Sequence, residues 1–386
     1  MKALMLASVA SMIDQFNKKN IELLQNMGYE VEVACNFELG NTSSKERVKA
    51  FQKELAAQNV PYIQVPIPRK LSALGDILTS YRMIKQLVEQ EHYDLVHCHS
   101  PIGGVLARLA CRKVRKSGTK VIYTAHGFHF YKGAPFMNWL LFYPIEKLCA
   151  RYTDVLITIN QEDYALAKKK IRAKAVQYVP GVGIDSERSS VSKKDAARQR
   201  QLLREQVHCG DQDILVLSVG ELSHRKNHQV ILRAMGECPD KTMHYAICGQ
   251  GANEQKLYQL AEELGIQNRV HLLGFQTNIQ EWLTAADIFA FPSLQEGLPV
   301  ALMEAMAMGL PIVCSRIRGN VDLITEGKGG YLGAPGDVVF FKEALERLAE
   351  DEDLRHKLGA YNRQAVKAFD YREVQNVMKT VYEVGE

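Results

Sequence analysis
The chain alternates short apolar runs with stretches of helical length, and it does so twice. In the first series Lys2–Ala7, Tyr29–Cys35, Asp94–Cys98, Lys120–Thr124, Val155–Ile159 and Gln177–Val179 read as buried strands. In the second, Ile214–Val219, Met243–Cys248, Val270–Leu273, Ile288–Phe291 and Pro311–Cys314 do the same. Alternating strands and helices place the strands in parallel sheets covered on both faces. Between the series lies Ser186–Arg204, rich in Lys, Arg, Ser and Gln, which reads as a polar linker. The pattern predicts an α/β protein of two Rossmann-like β/α/β domains, residues 1–185 and 205–370, with linker 186–204 and a cleft between them. A last helix spans about Tyr371 to Val384, within segment 371–386. At 386 residues the chain exceeds the roughly 250 to 300 residues at which single cores stop growing.

Composition is that of an ordinary globular protein, 46% hydrophobic and 24% charged. The eight cysteines are scattered, with no C-x-x-C pair, and several fall in strand-like runs. They read as small core hydrophobes in a reducing compartment, with neither a disulfide framework nor a zinc site. The apolar N-terminus reads as a first strand followed by a helix from about Gln15 to Met27 ending at Gly28, rather than as a signal peptide. The sequon Asn41-Thr-Ser43 reads as chance in an unsecreted chain. No apolar run approaches the roughly 20 residues that span a bilayer. A cytoplasmic location follows, with any membrane contact peripheral at the inner face.

In open α/β sheets ligands bind beyond the carboxyl ends of the strands, so the loops there carry the chemistry. The most informative is Glu296-Gly-Leu-Pro-Val-Ala-Leu-Met-Glu304, followed by Ala-Met-Ala-Met-Gly309-Leu-Pro311. Pro299 suits a first helical position and Gly309 a stop, so a helix is predicted over about Pro299–Met308. Glu296 then lies in the loop, and Glu304 roughly 7 Å further along the axis at about 1.5 Å per residue. Between them are the unpaired N–H groups of a helix start, a natural anion site. Donors for phosphate beside acceptors for hydroxyls suit a sugar nucleotide. Spacing alone is equally that of a structural amphipathic helix with Glu304 in solvent.

The surrounding residues extend the pattern. Ser293-Leu-Gln-Glu296 through Glu304-Ala-Met-Ala resembles the Glu-x7-Glu signature of the family-4 retaining glycosyltransferases, whose fold is the two-domain GT-B arrangement. Ser218-Val-Gly-Glu-Leu-Ser-His-Arg225-Lys226-Asn227-His228 resembles the stretch that in this family supplies an Arg and a Lys to the donor diphosphate. Tyr123-Thr-Ala-His126-Gly-Phe-His-Phe-Tyr131-Lys-Gly-Ala-Pro135 and Val179-Pro-Gly-Val-Gly183-Ile-Asp185 look like the subgroup that builds bacterial capsule and exopolysaccharide. The resemblance covers most of the chain in the right order.

The resemblance implies a hexosyltransferase with catalytic residues His126, Glu296, Arg225 and Lys226. Arg225 and Lys226 would hold the diphosphate, because two carboxylates beside it would otherwise repel it. Glu304 would accept from the ribose and Glu296 from the transferred sugar. The N–H groups of Gly297 and Leu298 would complete the phosphate grip. Gly249, Gly251 and Phe275 would form the base pocket, and His126 would lie against the donor sugar. Taken singly, Arg225-Lys226 also reads as solvated surface, and His126 as a packed or capping histidine. The resemblance implies that the donor is a UDP-sugar, UDP-GlcNAc or UDP-GalNAc, used with retention and without a metal or other cofactor. His97 and His99 flank Cys98 on one strand, so the two imidazoles share a face but lack further ligands for a metal. One departure is plain: many family members carry Gly-Gly after the first strand, whereas Ser8-Val-Ala-Ser-Met12 has no glycine.

Residues 101–200 hold 19 Lys and Arg against 7 Asp and Glu, a surplus of 12 in a chain of net charge +4. This basic region, including Arg112, Lys113, Arg115, Lys116 and Lys168-Lys-Lys170, lies beside the aromatics of Phe128–Tyr143. It suits an anionic membrane face and a polyprenyl-diphosphate-linked saccharide acceptor, or else is a solvated basic surface over a core helix. No nucleic-acid-binding module accompanies it. Two alternatives share the fold: a UDP-sugar epimerase, and a non-catalytic partner of a polysaccharide-synthesis complex.

Overall fold
The computed structural model describes residues 1–186 and 193–383. They form two compact units, Met1–Val182 with the chain from Arg372 onward, and Gly183–Tyr371. In the first unit β1 (Lys2–Val9), β2 (Glu30–Asn36), β3 (Tyr62–Gln64), β4 (Leu95–His99), β5 (Lys120–Ala125), β6 (Val155–Thr158) and β7 (Ala175–Tyr178) make one parallel sheet, ordered β3-β2-β1-β4-β5-β6-β7. Side chains alternate across β1: Ala3, Met5 and Ala7 join a core with Ile13 and Val33, while Leu4 and Leu6 join one with Val96 and Leu106. Each fully buried leucine-sized side chain contributes about 1.5–3 kcal/mol.

The second unit repeats the plan with β8 (Ile214–Val219), β9 (Met243–Cys248), β10 (Val270–Leu272), β11 (Ile288–Phe291), β12 (Ile312–Ser315) and β13 (Gly330–Gly333). Their order is β10-β9-β8-β11-β12-β13, again parallel. In both sheets the order reverses once, between β1 and β4 and between β8 and β11. Such a reversal leaves a crevice at the carboxyl ends of the two strands, where ligands of open α/β sheets bind.

Several expectations change. The polar stretch read as a linker does not remain one: positions 187–192 lie outside the described residues, and Lys193–Gln206 is a helix of the second unit. Its Arg200 and Arg204 reach Asp287 at 2.6 and 2.8 Å, so these charges are spent inside the unit rather than in solvent. The helix expected from Gln15 begins directly at Ala10 and breaks at Asn17 into Ala10–Phe16 and Lys18–Asn26. Strand runs into helix without a loop, which accounts for the missing glycines after β1. The edge strands β3 and β13 went unpredicted because Tyr-Ile-Gln and Gly-Tyr-Leu-Gly carry no apolar pattern.

The last helix, Tyr371–Glu383 among the described residues, buries Val374, Met378, Val381 and Tyr382 in the core of the first unit. Lys120 Nζ donates to the carbonyls of Val381 and Tyr382 at 2.9 and 2.8 Å, tying this helix to β5. All eight cysteines are buried free thiols.

Candidate functional site
In the second unit the reversal between β8 and β11 brings together residues some seventy positions apart in sequence. The segment after β8 turns through a short 3-10 helix, His224–Lys226, closed by Asn227 in the left-handed region at φ 55°. Asn227 is fixed by donating to the carbonyls of Pro292 and Pro335 at 3.1 and 2.7 Å. Leu294 N–H donates to the Arg225 carbonyl at 2.8 Å, pinning this segment to the loop after β11.

Arg225 Nη1 then donates to Glu296 Oε1 at 2.9 Å and to the Gln295 carbonyl at 3.1 Å. Lys226 Nζ donates to the same Glu296 oxygen at 2.8 Å and stands 4.5 Å from the Phe291 ring centroid. Burial pushes the Lys226 ammonium below its ordinary value, Glu296 opposing the shift. One carboxylate thus holds two cations, and the trio carries a net positive charge. The stem of Lys226 fits because position 220 is glycine: a Cβ there would come within 2.9 Å of Lys226 Cε.

The helix after Glu296 runs Val300–Ala307, with Pro299 at its cap rather than its first turn. Proline's extended ψ of 119° explains the shift of one position. Gly297 and Leu298 precede it, and Glu304 lies one turn in. Glu304 lines a cavity of about 70 Å³ with Asp185, Ser186, Gln280 and Tyr371, so the structure gives the two glutamates different surroundings. Arg318, a residue with no sequence motif, donates from Nε to the Glu296 carbonyl at 3.2 Å and is buried. Its one sequence signal is a basic residue next to glycine just after β12.

The glycines after β9 have packing roles. A Cβ on Gly249 would meet the Gly220 carbonyl at 1.8 Å, and one on Gly251 the Leu222 carbonyl at 2.4 Å. The Gly249 N–H is already given to the Gly274 carbonyl at 2.8 Å, so it is not open to a base. Phe275 is 72% exposed, its ring lying out at the surface.

His126 belongs to the first unit, at the end of β5. His97 and His99 share a face as expected, with ring centroids 4.1 Å apart. His97 bridges Tyr382 OH at 2.9 Å and Thr124 Oγ1 at 2.8 Å. His99 places Nε2 3.2 Å from Met5 Sδ and Nδ1 3.1 Å from His126 Nε2. A thioether sulfur only accepts. His99 therefore carries its hydrogen on Nε2, its Nδ1 accepts, and His126 donates from Nε2. Burial pushes His126 down to about 4, so near pH 7 the ring is neutral and its Nδ1 is a bare acceptor.

At the β1/β4 reversal the first unit has a cavity of about 670 Å³. Ser8, Ser11, Ser100, Arg69 and His129 line it among Phe16, Ile77, Ile102, Leu106, Phe142 and Ile145. The exposed aromatic segment expected beside the basic region is only partly so: Phe128 and Phe130 are buried, while Phe136 is exposed. Of the basic cluster, Arg115 is held by Asp154 at 2.9 Å and Lys113 lies 3.8 Å from Glu89. Among the described residues no helix is long and apolar enough to cross a membrane.

Comparison with known proteins agrees with this architecture. Residues 21–188 match the family model Glycosyltransferase Family 4, and residues 199–365 match Glycosyl transferases group 1. The chain is 35% identical over 99% of its length to the putative glycosyltransferase EpsD of Bacillus subtilis, covering 96% of that protein. It is 26% identical, over 98% of its length and 95% of the relative's, to the Escherichia coli UDP-Gal:alpha-D-GlcNAc-diphosphoundecaprenol alpha-1,3-galactosyltransferase. Among solved structures, Anabaena HepE in complex with UDP-glucose superposes with a TM-score of 0.78 at 21% identity, covering all of both chains. The chain belongs to the family-4 glycosyltransferases and is an enzyme of that class with the GT-B fold.

Proposed function
We propose that the protein transfers a hexose or N-acetylhexosamine from a UDP-sugar, with retention, to a lipid-linked saccharide in exopolysaccharide or capsule assembly. The observation that carries this reading is the pair of cations, Arg225 and Lys226, gathered on Glu296 beside a helix start at the crevice of the second sheet. A leaving nucleoside diphosphate develops negative charge, and preorganised cations and N–H groups stabilise it without reorganising. Arg225 and Lys226 take the diphosphate, with the N–H groups of Gly297 and Leu298. Glu296, relieved of part of its pairing, accepts from sugar hydroxyls, and Glu304 from the ribose. His126 presents its Nδ1 acceptor to the transferred sugar. With these positive groups in place the transfer is expected to need no divalent cation.

The relatives support the donor and acceptor classes: HepE is seen with UDP-glucose, and the Escherichia coli enzyme is named for UDP-Gal and a diphosphoundecaprenol acceptor. Peripheral contact with an anionic membrane is proposed at the helix Phe136–Cys149, where Lys147 and Lys170 lie 5.7 and 5.1 Å from the Tyr143 and Trp139 rings. The test is a transfer assay with UDP-GlcNAc, UDP-GalNAc, UDP-Glc and UDP-Gal on a diphosphate-linked saccharide, with the product anomer read by NMR and EDTA present. An α-linked product from one α-configured donor is expected. Release of free sugar or an epimer in place of a glycoside, or abolition by EDTA, contradicts the reading.

A further inference from the structure
The cavity at the β1/β4 reversal occupies the place in the first sheet that the charged site occupies in the second, yet its walls are mainly carbon. Three of its hydroxyls already accept from the backbone: Ser8 Oγ from Gly103 N–H at 3.1 Å, Ser100 Oγ from Ser8 N–H at 3.3 Å, and Ser11 Oγ from Thr42 N–H at 3.2 Å. A saccharide needs several convergent polar partners, and a wall made mainly of isoleucine, leucine, valine and phenylalanine offers few. About 670 Å³ is ample for a ligand of small-molecule size.

The helix Phe136–Cys149, which supplies Phe142 and Ile145 to the cavity, is apolar on its outer face as well as its inner one. At about 100° per residue, Phe136, Met137, Leu140, Leu141 and Leu148 fall on one side, and all are exposed, Phe136 at 77% and Met137 at 65%. Its inner face packs Trp139, Phe142, Tyr143 and Cys149 against the unit and also carries Glu146, paired with the fully buried Arg108 at 2.5 and 3.1 Å. The helix Leu74–Glu91 supplies Ile77 to the same cavity and leaves Leu74 and Leu78 exposed. Arg69 also lines the cavity, a cation within the same wall.

We propose that this cavity binds the hydrocarbon chain of the lipid-linked acceptor, entered along the apolar outer face of the Phe136–Cys149 helix, with Arg69 meeting the lipid's phosphate. The assignment rests on the transferase reading and names what the first unit recognises: the chain next to the diphosphate rather than the sugar. An exposed apolar face of this kind marks an interaction with lipid or another apolar surface, and Arg69 supplies the charge complement to a prenyl diphosphate.

Farnesyl diphosphate is the probe, titrated calorimetrically into the full chain beside inorganic diphosphate and UDP. Val105→Trp fills the cavity, and Ile102→Asn makes its wall polar at a partly exposed position. Farnesyl diphosphate is expected to bind at least about tenfold more tightly than inorganic diphosphate, and to lose about tenfold or more in both variants. UDP binding should be unchanged in both, which also reports that they are folded. Equal binding of farnesyl and inorganic diphosphate, or of farnesyl diphosphate by wild type and both variants, overturns the proposal. Loss of UDP binding by the wild-type chain contradicts the transferase reading instead.

Discussion

The two units share a plan of parallel strands with one reversal and line the crevice at that reversal in opposite ways. At the β8/β11 reversal the second unit holds Arg225, Lys226 and Glu296 at the opening, with Arg225 about half exposed. Near the β1/β4 reversal the first unit buries its ion pair, Arg108 with Glu146, and turns carbon outward. On the proposed reading the same crevice is lined for a polyanion in one unit and for a hydrocarbon in the other, and the sheet does not decide which. The residues in the loops after the strands decide it.

The largest expected effect falls on the buried pair. Removing one member of a desolvated, bidentate pair strands the other charge, so Arg108→Ala or Glu146→Ala should cost about 3–5 kcal/mol in chemical denaturation. A loss below about 1 kcal/mol would mean that the pair is wet and the contrast between the units is false. At the open site the cost should appear in catalysis rather than stability. Arg225→Ala or Lys226→Ala should lower kcat/KM roughly 100-fold or more while the unfolding midpoint stays near that of the parent.

Glu296→Gln sharpens the same point. Because Glu296 now occupies both cations, neutralising it frees them, so UDP should bind at least as tightly as before. Transfer should fall by about tenfold or more, since a charged hydrogen bond to the sugar is lost. Weaker UDP binding together with unchanged transfer would reverse the roles assigned here.

The histidines give a smaller, graded effect. His97 and His126 are pushed to about 3 and about 4 by burial, and His99 is lowered well below its ordinary 6.5 by burial and its histidine neighbours. Folded, they stay neutral where the unfolded chain binds protons. Stability should therefore be full above pH 6.5 and fall progressively as pH drops towards 4. Denaturation followed between pH 7.5 and 4.5 in the parent and in His97→Phe should show a shallower decline in the variant. The smallest effect is on the outer face: Phe136→Ser with Leu140→Ser should change stability by no more than about 0.5 kcal/mol per site. The same change should reduce flotation with anionic liposomes.

The strands were legible because buried parallel strands are continuous apolar runs, and Ile214–Val219, Met243–Cys248 and Ile288–Phe291 fall where that pattern ends. The Arg225-Lys226 and Glu296 segments were legible through their family pattern, and the topology explains why they meet. Arg318 was not, since a single basic residue after a strand has no spacing to mark it. Nor was the cavity, whose lining comes from β1, β4 and several helices distant in sequence. The segment Ser186–Arg204 misled because its arginines look solvated until Asp287, more than eighty positions later, is brought beside them. Composition reports charge and cannot report its partner.

The most direct test of the central claim is calorimetric titration of UDP into the parent, into Arg225→Ala/Lys226→Ala, and into Val105→Trp. The account predicts a loss of affinity of roughly 100-fold in the double variant, about 2.7 kcal/mol, and none in Val105→Trp. Parent-like UDP binding by the double variant, or its loss in Val105→Trp, would contradict the assignment of the nucleotide to the charged crevice of the second unit.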